Sequence, residues 1–300
     1  MKKEQKKDNN FNENKVNINW FPGHMAKSLR EIENSLKLVD IIIEILDARA
    51  PIASRNPQIV KYNKPRLLIL SKKDLAPESS VNEWINYFKS ENCNVLAMDL
   101  NKGFNEKQVI NAINGLMKAR IEKDLKRGIR NRSIRALVVG IPNVGKSTFI
   151  NKMAHKKSAG VGNKPGFTRS LQWVNTSNVE LLDTPGVLWP KFEEQSIGIK
   201  LALIGTIKED ILDANILSDI ALNYLYNHHK VELENRYNLN EYNKDNILEC
   251  ICKNRGLLLK NNLYNIEQAK YLILKEFKEG LITKVCLELP NKEYEEFDLN

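Results

Sequence analysis

The run Gly140-Ile141-Pro142-Asn143-Val144-Gly145-Lys146-Ser147 constrains this chain more than any other stretch, because it fits G-x-x-x-x-G-K-S/T and has the flanks that pattern needs. Before it, Ile134-Arg135-Ala136-Leu137-Val138-Val139 reads as a buried strand; after it, Thr148 to Ala154 continues as a helix. A glycine-containing turn between a strand and a helix N-terminus points backbone N–H groups at an anion, where the partial positive charge of the helix already favours one. Pro142, Asn143, Val144, Gly145 and Thr148 are therefore expected to line a phosphate site. Lys146 would reach the β- and γ-phosphates as a catalytic cation, and the Ser147 hydroxyl would ligate Mg²⁺.

A second element supports the first. Asn178 to Leu182 reads as a short strand running into Asp183-Thr184-Pro185-Gly186, a D-x-x-G turn. There Asp183 would hold Mg²⁺ and the Gly186 N–H would meet the γ-phosphate. Between the two elements, Lys164-Pro165-Gly166-Phe167-Thr168 carries one Thr placed to join the Mg²⁺ shell when a γ-phosphate is present. Together they describe a switch driven by a nucleoside triphosphate.

Which base is read should be settled by an N/T-K-x-D element, which ordinarily follows the D-x-x-G turn. None lies downstream of Gly186; upstream, Lys64 to Leu70 reads as a strand ending in Ser71-Lys72-Lys73-Asp74, so the motif order is permuted. Asp74 can accept from guanine N1 and N2 together, a paired contact adenine cannot return, and the Lys72 stem can lie against the ring. That carboxylate favours GTP and GDP and opposes an ATPase.

On these residues, with Trp20 to Lys27, Asp47-Ala48-Arg49-Ala50-Pro51, Ser54-Arg55-Asn56-Pro57 and Pro165 to Thr168, the chain resembles the circularly permuted GTPases of bacterial ribosome assembly, most nearly the ribosome biogenesis GTPase A (YlqF-type) family. The matching motifs span about residues 18–205, and Gly198 to Ala202 and Gly205 to Lys208 are also similar. The resemblance implies a Mg²⁺-dependent GTP hydrolase that binds the precursor of the large ribosomal subunit and its rRNA, promotes late assembly, and turns over on the particle. It places Asp99-Leu100-Asn101 in the base-contacting loop and gives Asn143 a share in a K⁺ site beside the phosphates. Ser71 stands where relatives usually carry Asn, which removes one side-chain contact near the base.

The resemblance also makes His24 the catalytic histidine. Val187 follows Gly186 where Ras-like enzymes carry a Gln, so the second switch has no side chain of its own to orient water. A neutral imidazole can accept one hydrogen bond and donate another. The other reading of His24 is a helix-start residue that packs near Trp20 and anchors the N-terminal segment. As a catalytic group it is expected to stand away from the nucleotide in the free protein and to swing in on the ribosome.

The 300 residues, 42% of them hydrophobic, can bury one ordinary domain and a smaller one. A net charge of +9 and a pI near 9.2 favour a polyanionic partner, with RNA, DNA and anionic membrane all open. No apolar run reaches membrane-span length and the Lys-rich start lacks a signal-peptide core, so a cytoplasmic monomer without stable membrane insertion is expected. Cys93, Cys250, Cys252 and Cys286 lack zinc-site spacing and are expected to be reduced thiols.

The expected architecture is a disordered basic tail over 1–15, a permuted GTPase domain with a doubly wound α/β sheet over 16–205, a small all-α RNA-binding domain over 206–290 and an acidic tail over 291–300. Met25, Leu29, Ile32 and Leu36 predict an amphipathic helix, Asp40 to Asp47 a strand buried on both faces, Val81 to Lys89 a helix, Cys93 to Met98 a strand and Lys107 to Arg127 one long helix. Further on, Ile211 to Leu225, Ile247 to Cys252 and Ile266 to Phe277 carry helical spacing. The last of these starts at Asn265 with Gln268 as capping partner and ends at Gly280. The alternative to a hydrolase is a module that GTP orders on RNA or a membrane surface with negligible turnover.

Overall fold

In a computed structural model the described residues are 23–129, 132–155, 171–176, 179–189, 192, 194–207, 213–292, 294 and 297. Helix α1 (Gly23–Ser35) leads to strand β1 (Ile41–Asp47), the short helix α2 (Pro57–Val60), β2 (Arg66–Ser71), α3 (Glu78–Ser90), β3 (Asn94–Ala97), α4 (Glu106–Leu116), α5 (Lys118–Lys126), β4 (Ile134–Val139), α6 (Lys146–Met153), β5 (Gln172–Asn175) and β6 (Val179–Asp183). Then come α7 (Gln195–Leu203), α8 (Ala214–His228), α9 (Lys230–Tyr237), α10 (Ile247–Arg255) and α11 (Ile266–Glu279).

Every residue of β1 is buried. Its Ile and Leu side chains alternate between the two sheet faces, as strand geometry requires. Ile41, Ile43 and Ile45 share a core with Val109 and Ile113 of α4 and Phe149 and Ile150 of α6. On the other face Ile42 clusters with Leu29 and Ile32 of α1, and Leu46 with Val81, Trp84 and Phe88 of α3. Helices thus cover both faces, the doubly wound arrangement the sequence predicts.

The strand order is β3-β2-β1-β4-β6-β5, parallel throughout except for β5 against β6. The chain winds from β1 out to β2 and β3, then returns to β4 on the opposite side of β1. This makes the crevice between β1 and β4 the switch point at which open α/β sheets bind ligands. Pairing of Asp47 with Ser71, and of Val138 with Asp183, brings the loops after β1, β2, β4 and β6 to one edge.

Several elements depart from the sequence reading, α2, α7 and α9 being helices it does not name. The helix expected over Lys107 to Arg127 is interrupted at Met117, which is buried at φ −97° and ψ 6° and separates α4 from α5. The apolar stripe that seats α4 ends there, and α5 carries no buried residue to keep the two coaxial. β5 is an addition: only Val174 of its four residues is buried, so an edge strand this short offers no alternation to read.

In the C-terminal helices the expected cap is present. Asn265 Oδ1 accepts from Gln268 N at 3.1 Å and Asn265 Nδ2 donates to Gln268 Oε1 at 3.2 Å; Gly280 ends α11 in the left-handed region at φ 66°. Beyond α11 the chain returns to the sheet. Val285 N donates to Leu75 O at 3.1 Å and Leu287 N to Arg49 O at 2.7 Å, while the Trp84 indole donates to Glu288 O at 3.0 Å. Residues 285–288 are therefore seated on the loops that follow β1 and β2 and on α3.

Candidate functional site

The phosphate loop leaves β4 and enters α6 along a path that few residue types permit. A Cβ on Gly140 (φ 154°) would lie 2.6 Å from Ile45 O, and one on Gly145 (φ 102°) 2.9 Å from Leu100 Cδ1. Asn143 is also left-handed, at φ 58°, a conformation Asn tolerates, and its Nδ2 donates to Gly205 O at 3.0 Å. Lys146 is buried and donates from Nζ to Ile141 O at 2.9 Å. Burial lowers its pKa to about 8, with Asp183 working in the opposite direction.

Asp183 ends β6 inside the same cleft. Burial raises its pKa to about 6, opposed by Lys146 and by the Thr184 amide. Its Oδ1 is buried with no hydrogen-bond partner. An orphaned carboxylate oxygen close to a Ser-bearing helix start fits Mg²⁺, which takes one or two protein ligands and completes its shell with phosphate and water. Among the described residues no group of three or more His, Cys, Asp or Glu side chains could hold a metal by itself. The D-x-x-G turn is pressed against the phosphate loop: a Cβ on Gly186 would come within 2.7 Å of Pro142 Cα and 2.9 Å of Lys146 Nζ. Thr184 Oγ1 donates to Val138 O at 2.7 Å and ties the turn to β4.

The turn after β2 faces this cleft from the other side of β1. Ser71 Oγ lies 2.8 Å from Leu46 O and 2.6 Å from Val144 O, so its single proton serves β1 and the phosphate loop. Lys72 adopts φ 54°, and its Nζ pairs with Asp47 Oδ2 at 2.9 Å. Lys73 and Asp74 lie in a 3₁₀ turn with exposed side chains. Asp99-Leu100-Asn101 follows β3. Leu100 is buried against Gly145, Asn101 N donates to Asp99 Oδ1 at 2.7 Å, and Lys152 Nζ of α6 donates to Asn101 O at 3.4 Å. Ser147 and Thr148 open α6, half-buried, beside Lys146. Phosphate loop, D-x-x-G turn, Ser71 to Asp74 and Asp99 to Asn101 thus converge on one edge. Thr168, with the rest of Lys164 to Thr168, lies outside the described residues, as does the side chain of His24, whose backbone opens α1.

A supporting layer is less evident from sequence, where Arg49 to Pro51 and Arg55 to Pro57 read only as a rigid, polar loop after the strand. Asp47 and Arg49 are both buried. Arg49 forks onto Asp47 through Nε at 2.9 Å and Nη2 at 2.8 Å, and also donates to Lys278 O at 2.9 Å and Ile204 O at 3.0 Å. Ile204 caps α7 and Lys278 lies in the last turn of α11, so one guanidinium meets the negative ends of two helices. Burial raises the Asp47 carboxyl, but Arg49 and Lys72 together pull it well below the usual carboxylate range. The available signal was a pair of opposite charges, two residues apart, at the end of a largely apolar strand.

Sheet order, phosphate loop, D-x-x-G turn and an upstream S-K-x-D element define a circularly permuted P-loop GTPase. Comparison with known proteins agrees. Residues 135–253 match the family described as "50S ribosome-binding GTPase". The chain is 43% identical over 280 residues to ribosome biogenesis GTPase A of Bacillus cereus, covering 92% of this chain and 95% of that one. It is 31% identical over 274 residues to ribosome biogenesis GTPase A of Thermotoga maritima, covering 91% and 95%. A GDP-bound YlqF structure matches with a TM-score of 0.66 at 27% identity over 88% of this chain and 100% of that one. GNP-bound YlqF from T. maritima matches with a TM-score of 0.62 at 26% identity over 89% and 99%. The chain belongs to the ribosome biogenesis GTPase A family and is a guanine-nucleotide-binding GTP hydrolase of ribosome assembly. Among the described residues no helix is long and apolar enough to cross a membrane.

Proposed function

We propose that this GTPase binds the precursor of the large ribosomal subunit through its rRNA and hydrolyses GTP there to promote late assembly. The observation that best supports this is the short path from Gly186 through buried Val187 and Trp189 to α7, whose C-terminal carbonyl Arg49 holds together with that of α11. Nucleotide state and the placement of the C-terminal helices share that stretch of chain. In this reading 16–205 is the GTPase unit and 206–290 the RNA-binding one, with Lys253, Arg255, Lys260, Lys275 and Lys284 exposed on it. Lys146 and the backbone from Pro142 to Thr148 hold the phosphates; Ser147, Asp183 and Thr168 hold Mg²⁺; Ser71 to Asp74 and Asp99 to Asn101 enclose guanine.

The test is GTP turnover with and without purified precursor particles, together with particle binding in GTP, GDP and no nucleotide over rising salt. Particles should stimulate turnover, and binding should be tightest with GTP and weaken steeply with salt. Turnover unchanged by particles, with binding still tightest in GTP, would leave the ordered-module reading, and equal binding in all states would count against the switch itself.

Asp74→Ala should weaken GTP and GDP alike by about 2–4 kcal/mol in titration calorimetry, because the guanine donors lose their shared acceptor. Equal affinity of the unaltered protein for ATP and GTP would remove that role. By its resemblance to related phosphate loops, Asn143 would share in a K⁺ site beside the phosphates. Turnover is then expected to be faster in K⁺ than in Na⁺, and identical rates would eliminate the claim.

A further inference from the structure

We propose that Asn56 is a positioning residue for GTP hydrolysis, which seats the chain leaving the D-x-x-G turn; this rests on the reading of Gly186 as the γ-phosphate contact. Asn56 is buried and both ends of its amide are engaged. Its Oδ1 accepts from Gln58 N at 3.0 Å, capping α2, and its Nδ2 donates to Val187 O at 3.1 Å. The two partners fix the orientation of the amide, since a flipped side chain would set nitrogen against N–H and oxygen against carbonyl.

The loop that carries Asn56 has little freedom. Arg49 is pinned by Asp47 and by the carbonyls of Ile204 and Lys278. The Glu288 carboxylate accepts from the amides of Ile52 and Ala53. Ser54 Oγ accepts from Asp47 N at 3.0 Å. Pro57 then starts α2, whose Ile59 is fully buried in the same apolar cluster as Val187 and as Leu29 and Ile32 of α1. The Asn56 donor is therefore a fixed peg. By holding the Val187 carbonyl it restricts the backbone one residue beyond Gly186, where the N–H that would meet the γ-phosphate belongs. A shift of that N–H changes the reaction more than it changes ground-state binding, which phosphate loop and base pocket dominate.

Two substitutions separate this from a merely structural cap. Asn56→Ser keeps an oxygen that can cap α2 and removes the donor to Val187. Asn56→Asp keeps the cap and sets a charged acceptor against the Val187 carbonyl. In single-turnover and steady-state assays both should lower kcat, Asn56→Ser by about tenfold and Asn56→Asp by more, with KM and GDP affinity within about twofold of the unaltered protein. Wild-type kcat in both variants would overturn the proposal. So would parallel losses of kcat, GDP affinity and thermal midpoint, which mark a residue of the fold alone. Gly186→Ala, measured alongside, distinguishes the underlying reading: if it hydrolyses GTP normally, the γ-phosphate contact and this inference fall together. If it fails while both Asn56 variants are normal, only the inference falls.

Discussion

Replacing Lys146 with alanine is expected to cut GTP turnover by about a thousandfold while leaving the protein folded. The ammonium lies buried inside the phosphate loop against Ile141 O, with its pKa lowered to about 8 by burial that Asp183 only partly opposes. A lysine whose folded pKa is depressed destabilises the fold whenever it is charged. Its penalty is absent above the unfolded pKa near 10.5, grows as pH falls, and is complete below about 8. At neutral pH the side chain is thus retained against stability, and an incoming triphosphate is what offsets the cost. Removing it relieves that penalty, so the thermal midpoint without ligand should be unchanged or slightly raised, the gain being partly offset because Asp183, already shifted to about 6, loses a favourable neighbour and moves further up. The rise in midpoint on adding GTP should shrink with the lost affinity. Single-turnover hydrolysis and thermal unfolding with and without GTP check both halves. Wild-type turnover would refute the phosphate-loop role, and collapse of the fold would recast Lys146 as structural.

The parts of this site legible in sequence are those whose backbone path dictates residue type. Gly140 is required by its 2.6 Å approach to the Ile45 carbonyl, Gly145 by its left-handed backbone at φ 102°, and Gly186 by its contact with the Pro142 backbone, so each leaves a spacing that can be read without coordinates. β1 is legible because burial on both faces fills five of its seven positions with Ile or Leu. What escaped depends on partners far along the chain. Arg49 is separated from Lys278 by 229 positions, and Asn56 from Val187 by 131, and no local pattern encodes such pairings. Ser71 shows the limit from the other side. Set against relatives it reads as a lost contact near the base, yet its hydroxyl lies 2.6 Å from Val144 O and ties the base turn to the phosphate loop, because β1 and that loop approach closely enough for a short side chain to reach.

Replacing His24 with alanine is expected to preserve GTP affinity and particle binding and to reduce particle-stimulated hydrolysis by about 10²–10⁴-fold. The Val187 side chain is fully buried with Leu29, Ile32, Ile59, Leu137 and Val139 and is committed to the core instead of to a phosphate. Water near Gly186 must be oriented by a group from elsewhere. Helix α1 begins at Gly23 and packs through Leu29 and Ile32 into that same cluster, so the packing that removes Val187 from the chemistry holds the His24-bearing helix beside the second switch. Met25, buried one residue later, limits how far His24 can travel without unseating α1, so its approach on the particle would be a reorientation at the helix start. His24→Gln refines the test, since an amide can orient water but cannot take its proton at neutral pH. If proton acceptance matters, the glutamine variant should lose as much stimulated turnover as the alanine variant does. If orientation alone matters, the glutamine variant should recover part of the rate that alanine loses. Full stimulated turnover in His24→Ala would leave His24 as an anchor of the N-terminal segment and place the water-orienting group on the ribosome.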